Sequence, residues 1–487
     1  MYIKSLILFS LFLSILKVSA QQNFNTTITE PKTQVIHDIQ EDGNGNFILV
    51  GRNKNTESEI YRGYIIKLNS YGEVTNDTIV TNVGISSMFF NIICRNENYV
   101  LVGSINDTTT STSNHKLWFL TLDHNFNILE SKILNLPEEN WVSYINTIVD
   151  SDGNYVLTGY TGEIVQNQTV TDPFYYKLTP EGDSITSIFL NDDNPLSRNF
   201  DIIEKNDNSG FYTFSSHLHE AETTGTMVEL TENFEIVELY PIPMSSHDNY
   251  SPIKINNSYI INTNEESFLT DEADLNLMKI DTNANLINNK LIGMDGDTAD
   301  YPSYTRGTSR VGLDAFYASG TANISESNPF YGNGIPNWIL LGKYNSNLDE
   351  QWLKYYGGDA YYHVYSMTTT SDHGCAVVAS RFDYENPETD RDIFVMKVNG
   401  DGLITWNQSI EPKNSTIKLY PNPGQNRVNV DVNKKTFILQ FYDVMGNKVL
   451  QAQNKKTINV SQLKTGVYFY RITSNGKLIG EGKWVKE

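Results

Sequence analysis

Polar turns and short apolar runs alternate along most of the chain. The clearest copy of this pattern starts at the polar turn Asp150–Asn154, continues in the apolar run Tyr155–Gly159 and returns through the aromatic run Phe174–Leu178. Runs rich in β-branched and aromatic residues, separated by Asp-Gly and Asn-Gly turns, are typical of antiparallel strands joined by hairpins. The pattern therefore predicts an all-β chain.

Two positions of the pattern recur seven times, which indicates a repeat. A Lys-Leu-like pair ends the third strand of each copy, and an apolar residue followed by a small one ends the second. The first of these positions recurs at intervals of 50 to 64 residues, at Lys67-Leu68, Thr121-Leu122, Lys177-Leu178, Glu229-Leu230, Lys279-Ile280, Lys343-Tyr344 and Lys397-Val398. Four strands in about fifty residues match a propeller blade. We therefore predict a seven-bladed β-propeller over residues 21–412, with an open β-solenoid as the alternative fold.

The amino end has the features of a signal peptide over residues 1–20. Lys4 precedes the apolar run Leu6–Ile15, and small residues at Val18-Ser19-Ala20 stand before a cleavage point at Gln21. This run is too short to cross a membrane, and no other stretch is longer, so we expect no transmembrane segment in the mature chain. The short strand Asn23–Ile28 is then predicted to pair with the last repeat and close the ring.

Charge changes sign near residue 412. From Lys413 onward, 13 Lys or Arg stand against 4 Asp or Glu, a net charge of +9. The whole chain carries −22, so residues 21–412 carry −33 once this tail and the two lysines of the signal peptide are taken away. The change predicts a domain boundary. Such an acidic body disfavours nucleic acid and anionic membranes as partners.

The tail, residues 413–487, contains seven candidate strands and is predicted to form a small Greek-key or immunoglobulin-like β-sandwich. Four sequence blocks stand out in it: Tyr420-Pro421-Asn422-Pro423, then Asp443–Val449 with Gly446, then Leu463–Ile472 with Gly466 and Tyr468, and finally Gly482–Lys486 with Lys483. These blocks resemble, in order and spacing, the type A sorting domain of the type IX secretion system. An ordinary accessory sandwich domain is the alternative.

The resemblance implies a route and a partner. The signal peptide would take the chain to the periplasm, and the tail would engage the type IX secretion machinery to cross the outer membrane. The body would then be secreted or held on the surface of a Gram-negative cell. The repeats, with Asp152–Gly159 and Tyr355–Gly358, are also similar to repeats of proteins that carry this sorting domain, which implies a propeller and no particular activity.

Candidate chemistry is sparse. The sequence lacks nucleophile-elbow, zinc-protease, phosphate-loop and Cys-x-x-Cys motifs, so we predict no catalytic residues, no metal site and no cofactor. His217 and His219 share one strand face but lack a third zinc ligand. The segments Asp150–Asn154 and Glu41–Asn46 resemble the start of calcium loops, so calcium stays a minor possibility beside hairpin turns. Cys94 and Cys375 lie in the second and seventh repeats, and we expect buried free thiols rather than a disulfide.

Four Asp-Ser or Asp-Thr sites are similar to the O-glycosylation pattern of bacteria that use type IX secretion. The candidate acceptors are Thr78, Thr108, Ser184 and Thr298.

These observations favour a non-enzymatic exported propeller that binds a protein or a glycan. Loops of variable length at Ser104–Lys116, Asn323–Asn337 and Asp383–Arg391 are the candidate binding rim. The alternative is a secreted polysaccharide-acting hydrolase or lyase with a carboxylate pair at the propeller mouth, for which the scattered acids Asp192-Asp193 and Asp295/Asp297 are candidates. Convergence of acids within about 5 to 10 Å in a concave site would favour the enzyme.

Overall fold

The computed structural model describes residues 23–29, 33–54, 60–80, 85–95, 98–107, 115–136, 141–165, 168–190, 198–219, 222–242, 251–266, 273–293, 299–324, 336–384, 391–404, 419–430, 432, 434, 436–443, 448–474 and 477–487. The predicted signal peptide lies outside these residues. The chain divides into two compact units, Met1–Trp406 and Asn407–Glu487.

The first unit, called the body below, consists of antiparallel sheets that follow one another along the chain. Strand β1 (Phe24–Ile28) belongs to the last of them. Sheet I contains β2 (Thr33–Glu41), β3 (Phe47–Lys54), β4 (Tyr61–Leu68) and β5 (Val74–Val80), and sheet II contains β6 (Ile85–Cys94), β7 (Tyr99–Asp107), β8 (His115–Leu122) and β9 (Ile128–Leu134). Sheet III contains β10 (Trp141–Val149), β11 (Tyr155–Val165), β12 (Gln168–Leu178) and β13 (Ser184–Phe189), and sheet IV contains β14 (Arg198–Glu204), β15 (Gly210–His219), β16 (Glu222–Thr231) and β17 (Ile236–Pro241).

The rest of the body forms two further sheets. Sheet V has nine strands, β18 (Ile253–Ile255), β19 (Ser258–Glu266), β20 (Ala273–Ile280), β21 (Leu286–Ile292), β22 (Ala299–Pro302), β23 (Thr308–Val311), β24 (Ala315–Ile324), β25 (Trp338–Asn345) and β26 (Glu350–Gly357). Sheet VI contains β27 (Tyr361–Thr369), β28 (Cys375–Phe382) and β29 (Asp392–Val398), with β1 at its outer edge.

Burial explains why the middle and outer strands of each sheet differ in sequence. In β3 the run Phe47–Val50 is buried on both faces, because each sheet is covered by a neighbour on either side. A strand buried on both faces reads as a continuous apolar run. The outer strands β5 and β9 alternate exposed and half-buried residues instead, and polar residues interrupt their apolar ones.

The hairpins that join the first two strands and the last two strands of a sheet share one turn geometry. The Asp150 carboxylate accepts the backbone N–H groups of Asp152 and Asn154, at 3.1 and 2.8 Å. The fourth residue, Gly153, has φ +85°, which a glycine adopts without steric cost. Corresponding turns elsewhere carry Phe126 or Leu348 at positive φ, and both side chains are buried. Both segments that resemble the start of calcium loops form hairpin turns of this geometry.

Apolar clusters lie between successive sheets and close a ring. One cluster joins sheets I and II and others join each later pair, up to sheets V and VI. A further cluster contains Phe47 of sheet I together with Val378 and Val395 of sheet VI. The first and last sheets therefore pack on each other, as in a β-propeller.

The prediction that the amino-terminal strand closes the ring is confirmed. Strand β1 lies antiparallel to β29, with Phe24 opposite Lys397 and Ile28 opposite Ile393. The Phe24 ring also packs edge-on against Phe47 of sheet I, with 5.5 Å between ring centroids. The strand thus joins the two sheets at which the ring closes.

The fifth and sixth repeats differ from the prediction because they share sheet V. The inner strand of the sixth repeat is split into β22 and β23, with Ser303–Gly307 between them. Pro302 ends the first piece, and proline cannot donate a ladder hydrogen bond. Ala299 of β22 forms a parallel pair with Ala273 of β20, which joins the two repeats into one sheet.

The second unit contains seven strands around its own core. They are β30 (Leu419–Tyr420), β31 (Arg427–Val430), β32 (Ile438–Tyr442), β33 (Lys448–Gln453), β34 (Thr457–Asn459), β35 (Gly466–Ser474) and β36 (Lys477–Lys486). One sheet has the order β30-β31-β34 and the other β33-β32-β35-β36. Val428 of the first sheet and Phe441 and Trp484 of the second belong to one apolar cluster, so the two sheets share a core.

Both cysteines are free, as predicted. Cys375 is fully buried, as expected. Cys94 is only half-buried, so the expectation of a buried thiol is wrong there. Burial raises the pKa of both thiols, so both are held in the neutral form.

Candidate functional site

The first and last sorting blocks of the tail are hydrogen-bonded to each other. The Asn422 side chain donates to the Lys483 carbonyl at 2.8 Å and accepts from the Val485 N–H at 2.9 Å. The Trp484 indole N–H donates to the Pro421 carbonyl at 2.8 Å. We call this set of bonds the clasp, because it fixes residues 421–424 along the free edge of β36.

Gly424 continues the clasp through its backbone and was not predicted as a site residue. Its N–H donates to the Val485 carbonyl and its carbonyl accepts from the Glu487 N–H, both at 2.9 Å. A side chain here would lie 2.8 Å from the Pro421 carbonyl oxygen and 2.9 Å from the Trp484 ring. Position 424 therefore requires glycine, because the Pro421 carbonyl and the Trp484 ring come too close for a side chain. In the sequence, the only sign of this role is that Gly424 directly follows Pro423.

The proline block is bent rather than extended. A Tyr-Pro-Asn-Pro sequence by itself favours an extended segment, because proline restricts the residue before it. Both the Tyr420–Pro421 and Asn422–Pro423 peptide bonds are cis, and residues 421–423 form a bend. Within this bend the Asn422 side chain pairs with the backbone of β36, and the Gly424 backbone continues the pairing.

The other sorting residues fall into two groups. Tyr468 is buried and its hydroxyl donates to the Lys464 carbonyl at 2.8 Å, while Gly466 begins β35 with φ +155°. Tyr420 is 53% exposed, and Lys483, whose carbonyl belongs to the clasp, is exposed as well. Gly446 lies outside the described residues.

The body contains a cavity of about 630 Å³ between the outer parts of sheets V and VI. Asn25 and Thr27 contribute from β1, Tyr356 from the end of β26, and Phe394 from β29. Four charged side chains also line it: Asp359, Arg381, Asp383 and Asp392. We call this cavity the Arg381 cleft. Asp383 opens the third loop of the predicted rim, so this part of the rim borders the cavity; residues 108–114, 325–335 and 385–390 of the rim loops lie outside the described residues.

Arg381 organises the charged wall of the cleft. Its guanidinium lies 3.1 Å from Asp359 and 3.9 Å from Asp383, and its Nε donates to the Tyr362 hydroxyl at 3.3 Å. The Tyr362 hydroxyl in turn donates to Asp359 at 2.7 Å. Two carboxylates that contact one guanidinium lie within about 10 Å of each other, given the size of the planar fork. The cleft therefore gathers acids in a concave site.

The protonation state of Asp359 decides whether this side chain can accept hydrogen bonds or donate a proton. Burial alone would raise its pKa, but the hydrogen bonds from Tyr362 and Arg381 outweigh burial and hold the pKa below its ordinary value. A carboxylate of this kind is an acceptor of hydrogen bonds. A general acid in glycoside hydrolysis needs a raised pKa instead.

Asp38 and Asp201 are carboxylates buried on inner strands of the body. Asp38 accepts from the Ile39 and Ile92 N–H groups, the Ser366 hydroxyl and Arg306, at 2.9, 3.1, 2.9 and 3.3 Å. These partners belong to sheets I, II and VI and to the segment between β22 and β23, and they occupy the four acceptor positions of a carboxylate. Asp38 therefore has a structural role that leaves no position for a ligand, although burial raises its pKa.

Asp201 of β14 in sheet IV links the inner strand β10 of sheet III to the start of sheet V. It accepts from the Asn146 side chain and, at 2.8 Å, from the Ser251 N–H. Thr147, next to Asn146, contacts the Asn91 side-chain oxygen of sheet II at 3.2 Å. Burial raises the pKa of Asp201 to about 7.

The remaining sequence candidates are not brought together. Thr78 is half-buried and Ser184 exposed, each on an outer strand, whereas Thr108 and Thr298 lie outside the described residues. His217 and His219 lie on β15, but their side chains are not described. The candidate acids Asp192-Asp193 and Asp295/Asp297 also lie outside. Within the described ranges, no three His, Cys, Asp or Glu side chains are grouped as a metal site requires, and no helix there is long and apolar enough to span a bilayer.

The tail matches a known family. Residues 418–487 match the family described as secretion system C-terminal sorting domain. No curated protein matches the chain.

Solved structures resemble the chain only distantly. The β-propeller domain of the Trilobed protease from Pyrococcus furiosus, which has an open velcro topology, is 10% identical with a TM-score of 0.44, and the match covers 78% of this chain and 99% of that one. Pyrococcus horikoshii acylaminoacyl peptidase is 10% identical with a TM-score of 0.41, and the match covers 92% of this chain but 58% of the peptidase. A mutant of the Synechocystis apocarotenoid oxygenase is 11% identical with a TM-score of 0.39, over 77% of this chain and 93% of the oxygenase.

The tail is identified by its sorting blocks, by the clasp that joins them and by the family match. The body is characterised by its ring of sheets. The chain is therefore a secreted or cell-surface protein that carries a secretion system C-terminal sorting domain and has an all-β, β-propeller-like body.

Proposed function

We propose that the chain is an exported seven-bladed β-propeller that binds a glycan or a protein at or beyond the cell surface, without catalysis. Seven repeat anchors in the sequence support the blade number, with sheet V counted as two blades. The tail is proposed to be an immunoglobulin-like Greek-key sandwich that engages the type IX secretion machinery.

The Arg381 cleft is the proposed ligand site, and its lining is the observation that carries the proposal. Asn25 and Thr27 of β1 and Thr29 just after it line the cleft with hydroxyl and amide groups, and Tyr356 and Tyr362 line it with aromatic rings. Concave sites with aromatic walls and a few convergent polar groups are the usual form of small-ligand sites. Aromatic surface, carboxylate acceptors and guanidinium donors together suit a ligand rich in hydroxyl groups.

A polysaccharide hydrolase or lyase is the second candidate. It is favoured by the approach of Asp359 and Asp383 to one guanidinium in a cavity. It is disfavoured by the lowered pKa of Asp359, since that carboxylate is poorly suited to donate a proton. Binding is therefore the function that this geometry supports better.

A binding screen with product analysis separates the two functions. The chain from residue 21 onward is applied to neutral and acidic oligosaccharide arrays and to cross-linking on intact cells, and the bound glycans are analysed by mass spectrometry. The proposal predicts a ligand that is recovered unchanged. Shortened or unsaturated glycans would overturn it in favour of the enzyme.

Matched variants locate the ligand. Thr27→Trp fills the cleft from β1, and we expect at least a tenfold loss of affinity, about 1.4 kcal/mol. Leu129→Trp is the control, because it places the same ring at a side chain that is 59% exposed on the outer strand β9. Equal affinity of both variants and the wild type would exclude the cleft as the site.

A further inference from the structure

Three polar side chains form one row across the first three strands of sheet I. Gln34 of β2 lies directly opposite Asn53 of β3, and Asn53 lies directly opposite Arg62 of β4. Directly opposed residues of antiparallel strands project from the same face, with Cβ atoms about 5 Å apart. We call these three side chains the Gln34 row. Two amides and a guanidinium therefore stand side by side on one face of the sheet.

The row lies at the end of the interface between sheets I and VI. The next row on the same face of sheet I consists of Ile36, Gly51 and Tyr64. Ile36 and Tyr64 belong to the apolar cluster that also contains Val378 of sheet VI. The Arg381 cleft lies on the other side of sheet VI, toward sheet V, so the row is separate from it.

The two amides of the row are buried without partners. Gln34 is 0% exposed and Asn53 is 1% exposed. In the described part of the chain, neither the Gln34 amide nitrogen and oxygen nor the Asn53 amide nitrogen has a hydrogen-bond partner. Most buried polar atoms of native proteins have one, because an amide that has lost its water without replacement is destabilising. Three such atoms on two opposed side chains therefore indicate a site for a group that the chain itself does not supply.

Positive charge at this end of sheet I favours an anion as that group. Arg62 is half-buried and forms no hydrogen bond or ion pair with a described residue. Arg52 and Lys54, which flank the row on β3, also form no ion pair within the described ranges. Both instead lie over the Tyr61 ring, at 4.3 and 5.8 Å from its centroid. In an otherwise acidic body, three neighbouring cations without a carboxylate partner create a local positive field.

The donors and acceptors of the row suit a carboxylate that carries a neighbouring hydroxyl. A guanidinium binds the two oxygens of a carboxylate as a planar fork. The Asn53 NH₂ group adds a donor beside Arg62. The Gln34 amide offers both a donor and an acceptor, which matches a hydroxyl group. Arg62 is the most exposed of the three, so the anion would enter over Arg62 and reach the buried amides behind it.

We propose that the Gln34 row binds a small hydroxycarboxylate, either a free hydroxy acid or a uronic acid sugar, at a second site of the body. The inference goes beyond the proposed function, since it does not depend on a ligand in the Arg381 cleft.

Isothermal titration calorimetry on the chain from residue 21 onward tests the site with sodium lactate and sodium glucuronate. Acetate, which lacks the hydroxyl, and glucose, which lacks the carboxylate, are the controls. We expect a hydroxycarboxylate to bind about tenfold more tightly than either control. Tighter binding of glucuronate would assign the site to the sugar, and tighter binding of lactate to the free acid. Failure of both to bind, or equal binding of acetate, would overturn the proposal.

Matched variants place the anion at the row. Arg62→Gln and Asn53→Leu should each lower the affinity about tenfold, whereas Arg310→Gln, at an exposed arginine of β23, should leave it unchanged. Without ligand, Asn53→Leu should raise the melting temperature, because it replaces an unpartnered buried amide by an apolar group of similar size. A lowered melting temperature together with wild-type affinity in Arg62→Gln would overturn the proposal.

One further variant separates this site from the proposed function. Thr27→Trp fills the Arg381 cleft and should leave the binding of the hydroxycarboxylate unchanged. Binding that is lost in Thr27→Trp and kept in Arg62→Gln would place the anion in the cleft and overturn the row. Failure of the cleft to bind any glycan, with the row still binding its anion, would overturn the proposed function alone.

Discussion

The buried carboxylate of Asp201 should make the body less stable as the pH rises toward neutrality. Its pKa in the folded chain is about 7, raised from 3.8 by burial. Below pH 4 the group is protonated in both the folded and the unfolded chain and contributes no difference. Between about pH 4 and 7 the unfolded chain loses the proton first, so the free energy of unfolding falls with rising pH. The difference between a pKa of 3.8 and one of about 7 corresponds to about 4 kcal/mol of unfolding free energy at pH 8.

Asp201→Asn removes this titration with little change of shape. The asparagine oxygen can still accept from the Ser251 N–H, but its NH₂ group meets the Asn146 NH₂ group, and rotation of that amide would take the Asn146 oxygen from the Thr147 N–H. We expect the variant to be less stable than the wild type at pH 4 by about 1–3 kcal/mol, the cost of one buried N–H left without a partner. Between pH 4 and pH 8 the stability of the variant should rise relative to that of the wild type by up to about 4 kcal/mol.

Urea unfolding at pH 4, 5.5, 7 and 8.5 measures the difference. Tryptophan fluorescence reports mainly on the body, because five of the six tryptophans precede the tail. Asp207→Asn is the control, since Asp207 lies in an exposed turn. Parallel stability profiles for Asp201→Asn and the wild type would refute the reasoning, because they would mean that Asp201 is ionised at no net cost.

Three further perturbations follow from named contacts. Burial lowers the pKa of His37 to about 3, and the ring contacts the Phe89 carbonyl. The free energy of unfolding should therefore fall as the pH drops from about 6.5 to 3, because the unfolded chain binds the proton first. In His37→Gln, urea unfolding should show a smaller fall over the same pH range. Removing residues 21–30 takes Phe24 from the ring closure and should lower the melting temperature by several degrees, whereas an unchanged melt would contradict the closure. Asn422→Ala should destabilise the tail by about 1–2 kcal/mol in urea, because two backbone groups of β36 lose their partner, while Gln453→Ala on β33 should not.

The strand pattern of the body could be predicted from the sequence because it is local. Continuous apolar runs such as Phe47–Val50 and polar turns such as Asp150–Asn154 mark strands and hairpins directly. The pairing of β1 was also predictable, since the first repeat is preceded by one strand too many. The joining of the fifth and sixth repeats into one sheet could not be predicted, because it depends on a single backbone pair between Ala273 and Ala299.

The Arg381 cleft could not be predicted, because its parts are distant in the sequence. Thr27 reaches it only through the pairing of β1 with β29, and Asp359 lies between two repeats. The candidate acids Asp192-Asp193 and Asp295/Asp297 are neighbours along the chain, and such neighbours carry no information on convergence in space. The rim loop beginning at Asp383 was the one sequence feature that pointed to this place.

The sorting blocks were identified from the sequence, but their arrangement was not. Proline rules predicted an extended segment at Tyr420–Pro423. The bend and the clasp depend on partners about sixty residues later, at Lys483–Val485. The role of Gly424 follows from the same long-range contact.

Export of the chain with and without its tail tests the proposed role of the sorting domain most directly. The full chain and a chain that ends at residue 412 are expressed in type IX-competent cells, and each is measured in the periplasm, on the cell surface and in the medium. The sorting domain predicts that the full chain reaches the surface or the medium and that the shortened chain stays in the periplasm. Equal export of both chains would contradict it.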